Sequence, residues 1–265
     1  LENHLPYIGP AQSVMDPGLR AGVDNPAGVS IIPSGTAGGT LSKRGGLVRA
    51  GYPHQRIGHL LVSLVGLTCC TGCPVVSKLP APGRVLTQRE PEFGRKYYLY
   101  LPTRYDHDRR WPLVVTCHGT PWWDTARAQL DTWKGLAEKE GFLVAAPELI
   151  GTASVPRSAA EQIRRQSQDE RAILSVVRSI RAARSVDQTR VFLTGWSAGA
   201  YAVLFTGLRN PDVFRALSVY QGNFDPAFVE PCAPFLDRYQ PIQIVYGSED
   251  PIANAQPCVD WLRSH

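Results

Sequence analysis

Clustered charge is missing from this sequence. The formal net charge of +5 is spread thinly, with six Lys/Arg against three Asp/Glu in residues 1 to 79 and 22 against 20 in the remainder. A nucleic-acid-binding face would need a basic patch or stripe, so that class of partner is not expected. Metal-ligand spacing is missing too. Cys70-Thr71-Gly72-Cys73 reads C-x-x-C but follows an apolar run, outside any strand-helix-strand unit, and no second Cys or His pair accompanies it. Neither a metal nor a redox role is expected there. Long apolar runs are absent, since Leu60-Leu61-Val62-Ser63-Leu64-Val65-Gly66-Leu67 falls well short of the about 20 residues that span a bilayer as a helix. Methionine is nearly absent. The first residue is Leu and the one methionine is Met15, so the expectation is a gene fragment, or an upstream stretch translated ahead of the true start.

What the chain has is enough apolar residues for a core. With 265 residues and 43% hydrophobic composition, one large α/β domain behind an N-terminal extension is expected. From Leu1 to about Gly51 the chain is rich in Gly, Pro and Ser and keeps no helix or strand period, so residues 1–56 are expected to be unstructured. Residues 57–79 carry the parts of a secretory signal, in which Arg44, Arg49 and Arg56 precede the short apolar run and small residues follow it. Leu67-Thr68-Cys69-Cys70 further resembles a lipoprotein processing site with Cys70 as the acylated residue. Export is the expectation, to the periplasm or to a lipid anchor at the cell envelope. The competing reading makes the same run a buried element of the domain. Cys232 and Cys258 read equally as a disulfide of an exported protein or as two free thiols.

Past Pro80, in the domain read as residues 80–265, strand-length apolar runs alternate with amphipathic helical stretches. That is the pattern of a mainly parallel, doubly wound sheet. Strands are expected over 97–101, 113–117, 142–146, 191–194, 214–220 and 242–246. Helices are expected over 125–140, where Ala126, Leu130, Trp133 and Ala137 share a face, around Ile173, Val177 and Ile180, over 198–209, and over about 253–264.

Three motifs carry chemistry. Gly195-Trp196-Ser197-Ala198-Gly199 stands between an expected strand and an expected helix, a setting that lifts a serine clear of the sheet at a helix N-terminus and makes Ser197 the candidate nucleophile. His118-Gly119-Thr120 follows an earlier strand. The N–H groups of Thr120 and Ala198 are candidate donors to an oxyanion, and His118 with Gly119 is read as shaping that loop. Gly247-Ser248-Glu249-Asp250-Pro251 ends the last expected strand, with Asp250 the preferred acid, Glu249 and Asp225 the fallbacks, and a helix-capping role for Asp250 the bland alternative. Trp122 and Trp123 beside the oxyanion loop, with Tyr220 and Phe224 after a strand end, are candidate substrate contacts or ordinary core.

On Ser197, His118-Gly119 and Asp250, taken in order, residues 95 to 264 resemble the α/β-hydrolase superfamily, in particular exported esterases related to polyhydroxybutyrate depolymerases and feruloyl esterases. The resemblance implies an α/β-hydrolase fold and cofactor-free hydrolysis of a small or polymeric ester through an acyl-enzyme. It also implies a histidine base after the acid. Of His4, His54, His59, His107, His118 and His265, only the last follows Asp250, and it falls on a helix end rather than after a further strand. The expectation is therefore a chain that stops before its final strand and its base, with impaired catalysis. A peptidase or acyltransferase on the same fold, or an exported binding protein that has lost its base, are the alternatives.

Overall fold

A computed structural model describes residues 29–34, 83–153, 158–247 and 255–265. Strands form where β-branched and aromatic residues run together: β1 Val29–Ser34, β2 Arg84–Arg89, β3 Lys96–Leu101, β4 Trp111–Cys117, β5 Leu143–Pro147, β6 Val186–Trp196, β7 Ala216–Tyr220 and β8 Ile242–Gly247. They make one eight-stranded sheet of order β1-β8-β7-β6-β4-β5-β3-β2. Pairing is parallel from β1 through β5 and antiparallel where β3 meets β5 and β2 meets β3. The sheet and its helices are those of the α/β-hydrolase fold.

The helices follow their start and stop signals. Helix α1, Ala126–Glu140, is capped by Thr125, whose hydroxyl accepts from Ala128 N–H, and ends at Gly141 in the left-handed conformation. Its buried residues include Ala126, Leu130, Trp133 and Ala137, the face read from the spacing. Helix α2, Ala159–Ala183, buries Ile173, Val177 and Ile180. Helix α3, Gly199–Arg209, is buried along almost its whole length beneath the sheet centre. The short α4, Pro226–Val229, runs into a 3-10 turn over Glu230–Phe235, and α5, Ala255–Ser264, lies beyond β8.

The structure departs from the expectations in two places. Within the stretch read as unstructured, Val29–Ser34 forms β1, paired in parallel register with β8 from Val29 opposite Ile242 to Ser34 opposite Gly247. Strand β2 was not foreseen because none of its side chains is buried and arginine stands at both ends, which is how an edge strand is written. The signal-like segment and Cys70 lie outside the described residues, and so do Glu249 and Asp250. Cys232 and Cys258 are free and buried, and burial pushes each thiol up to about 12. Among the described residues no helix is long and apolar enough to cross a membrane.

Candidate active site

Parallel strands β4 and β6 bring their carboxyl ends side by side, with Cys117 opposite Gly195. Two loops therefore leave the sheet together, Cys117-His118-Gly119-Thr120 from β4 and the Ser197 turn from β6. Gly119 is where they touch: a Cβ there would meet Trp196 Cε3 at 2.9 Å and Ser197 Cβ at 3.3 Å. Only glycine allows that approach.

Ser197 sits at φ 52°, in the left-handed region that costs a non-glycine residue of order 1 kcal/mol or more. Its backbone is held on both sides. Ser197 N–H donates to Tyr220 O at 3.3 Å, while Ser197 O accepts from Ala200 N–H at 3.0 Å and from Asn223 N–H at 3.1 Å. The tight turn needs Gly199, whose Cβ would stand 2.4 Å from the Cys117 carbonyl oxygen. Ser197 is half-buried, and no described residue hydrogen-bonds to its hydroxyl. A strained, pinned backbone thus presents an unencumbered hydroxyl at the N-terminus of α3.

On the two turns that meet at Gly119, the N–H groups of Thr120 and Ala198 are used by no described residue. The Thr120 loop is built by buried polar side chains. His118 is 4% exposed, and its Nε2 accepts from Leu149 N–H at 3.0 Å, which makes Nδ1 the protonated nitrogen that donates to Gly119 O at 2.7 Å. Burial pushes the ring below its ordinary value of 6.5, opposed by the Gly119 carbonyl and then by Asp124. Asp124, 6% exposed, accepts from Gly119 N–H and from Gln129 Nε2, each at 2.7 Å, and from Thr125 N–H at 2.9 Å. Gln129 in turn accepts from Thr116 Oγ1 at 3.3 Å. On the neighbouring loop after β5, Asp169 of α2 accepts from Ile150 N–H at 3.0 Å and Gly151 N–H at 2.7 Å, and pairs with Arg95 at 2.6 Å.

Ser197, Ala198, Thr120, Gly119 and His118 are therefore gathered at one place. The aromatic set read from the sequence divides between surface and interior. Trp122 and Trp123 stand 98% and 82% exposed, Trp122 at φ 83°, whereas Tyr220 packs with Val245 and Trp196, and Phe224 lies against the Trp261 ring at 6.2 Å. Asp225 caps α4 by accepting from Ala227 N–H at 3.0 Å. Asp124 and Asp169 were missed altogether. Asp124 looks from the sequence like an ordinary residue before a helix, and only the fold turns its carboxylate back to Gly119.

None of the described histidines hydrogen-bonds to Ser197. His118 is tied at both nitrogens. His265 Nδ1 lies 3.0 Å from Trp261 O, with its ring 4.7 Å from that of Trp261, so it closes the end of its own helix. His107 precedes β4 and receives Ser185 Oγ at its carbonyl at 2.7 Å, at the opposite end of the sheet, on the order of 20 Å along the strands from Ser197.

The family described as Esterase PHB depolymerase matches residues 95–231. A bifunctional acetylxylan esterase/xylanase from Neocallimastix patriciarum is 24% identical over 178 residues, 67% of this chain, and the chain spans only 25% of that relative's length. Among solved structures, a fluorophosphonate-binding serine hydrolase of Staphylococcus aureus superposes with TM-score 0.54 at 16% identity, over 69% of this chain and 87% of the other. An S-formylglutathione hydrolase from the same organism gives 0.52 at 16% identity, over 69% and 82%. At such identities the two structures speak for the fold.

Proposed function

Because the chain belongs to the Esterase PHB depolymerase family, we propose that it is a carboxylic ester hydrolase working through an acyl-enzyme at Ser197, on small or polymeric esters of aryl or hydroxy acids. The observation that carries the reading is the Ser197 turn itself: a positive-φ serine with a free hydroxyl, flanked by the unused N–H groups of Thr120 and Ala198. Attack of Oγ on the ester carbonyl would place negative charge on the carbonyl oxygen between those two donors. Collapse would expel the alcohol and leave the acyl group on Ser197, and water would then release the acid. An oxyanion donor of this kind is worth about 2.7 to 4 kcal/mol in comparable sites.

Asp250 is taken as the acid. Against His118 as base stand its two hydrogen bonds and its burial, and against His265 the contact of its Nδ1 with Trp261 O. Among the described residues no histidine is bonded to Ser197, and oxyanion donors alone sustain slow turnover. The aromatic pair Trp122 and Trp123 is proposed to meet the substrate from solvent. Export belongs to the same proposal, with Cys70 acylated and the chain held at the cell envelope. Recovery of a lipid-modified peptide carrying Cys70 from a membrane fraction checks it.

The decisive experiment is covalent. A fluorophosphonate probe is expected to modify Ser197 and to leave Ser197→Ala unmodified. Equal modification of the variant would sink the assignment.

A further inference from the structure

We infer that Asp124 is a positioning residue for the Thr120 oxyanion donor, acting through the peptide units on either side of Gly119; the inference rests on the acyl-enzyme reading above. In a trans peptide the C=O and the following N–H point in opposite directions. The peptide joining Gly119 to Thr120 has its carbonyl held by His118 Nδ1–H at 2.7 Å, so its N–H, that of Thr120, points the other way. The preceding peptide, joining His118 to Gly119, has its N–H held by Asp124 Oδ2, also at 2.7 Å. Two consecutive planes are thus each fixed by one buried side chain, and the rotation about the Gly119 Cα that would swing Thr120 N–H is blocked from both sides.

Gly119 needs that restraint. It has no side chain to limit its backbone, and it must stay glycine because Trp196 and Ser197 lie against it. The same carboxylate makes Gly119 N–H unavailable as a competing donor, leaving Thr120 N–H as the group offered from this loop.

A carboxylate is the group that fits. Asp124 receives three donors, Gly119 N–H and Gln129 Nε2–H on one oxygen and Thr125 N–H on the other, and it has no proton to set against any of them. An amide would turn an NH2 toward one donor. Gln129 is itself oriented by Thr116 Oγ1 of β4, so the carboxylate is referenced to the sheet rather than to a loop.

The test is single-turnover acylation of the full chain by 4-nitrophenyl acetate, followed by mass spectrometry of the Ser197 peptide, which separates the acylation rate constant from the ester's apparent affinity. For Asp124→Asn, which keeps one accepting oxygen, the rate per intact Ser197 is expected to fall about tenfold, and for Asp124→Ala about a hundredfold, the lower end of the loss seen when an oxyanion donor is removed outright. Affinity should stay within about threefold, because a donor aimed at the oxyanion acts on the transition state more than on the bound ester. A purely structural role would lower the melting temperature and the acylated fraction while leaving the rate per acylated Ser197 unchanged, and that result in both variants would overturn the inference. If Asp124→Ala does not fold, the near-isosteric Asp124→Asn decides alone, unchanged rate against tenfold loss. No acetyl group on Ser197 of the unsubstituted chain would overturn the acyl-enzyme reading and this inference with it. A normal adduct with unchanged variant rates would overturn only the latter.

Discussion

The two flanks of the nucleophile are held by different physics. On the β4–β5 side, the loops are tied by directional contacts from buried polar side chains: His118 between Gly119 and Leu149, Asp124 on Gly119, Asp169 on Ile150 and Gly151. On the β7–β8 side, the turn is held by backbone bonds to Tyr220 and Asn223, and behind it the side chains pack mainly apolar, Leu217, Val219, Ile242 and Ile244 of the strands against Cys258, Val259 and Trp261 of α5. Apolar burial stabilises without fixing direction, whereas a buried hydrogen bond fixes an angle and is costly to leave unmade. The side on which the proposed Thr120 donor sits is the side whose buried side chains fix backbone directions.

The contrast is sharpest at Asp169. Asp169→Ala leaves Arg95 without its buried partner and releases two loop N–H groups, so a loss of about 3 to 5 kcal/mol is expected, with slower acylation of whatever remains folded. Urea unfolding together with the acylation assay measures both parts. On the other flank, Ile244→Ala is expected to cost roughly 2 to 5 kcal/mol by opening a cavity, while the rate per acylated Ser197 stays the same. A changed rate there would erase the distinction between the flanks. Gly199→Ala drives a methyl against the Cys117 carbonyl, and about 1 to 3 kcal/mol of overpacking is expected together with slower acylation, since the obstacle is backbone of the site itself.

The smallest effect is that of pH. Burial holds His118 below its ordinary value of 6.5. As pH falls through 6.5 the unfolded chain binds a proton that the folded chain refuses, so this residue's contribution to stability is complete above 6.5. It declines with acidification until the folded value is reached. Urea midpoints at pH 7.5 and 5.5 are expected to differ more in the unsubstituted chain than in His118→Gln. Equal differences would mean that the ring is not kept neutral by its loop.

Much of the fold was legible because periodicity survives burial. The stripe of Leu130, Trp133 and Ala137 and the runs ending at Cys117 and Tyr220 hold their places within a few residues. Strands β1 and β2 were not legible because an edge strand lacks the continuous apolar run of a central one. In the site, Ser197 could be read because a left-handed turn between glycines leaves a local mark. Asp124 could not, because its meaning depends on contacts that only the assembled sheet creates. Tyr220 and Phe224 fit two readings equally well in one dimension. Both are buried, at 3% and 9% exposure.

Strand β1 has a consequence for the order of assembly. During synthesis Val29 is made long before its partner Ile242, so the β1–β8 ladder cannot form until nearly the whole domain exists. The β1–β8 pairing thus spans more of the sequence than any other pairing of the described sheet, and the ordering cost of β1 is met last. A six-residue strand at the margin of the sheet, added last across such a span, is also the first to leave. Its amides should exchange with solvent through local opening, well before those of β4 and β6, which are buried between neighbours at the centre.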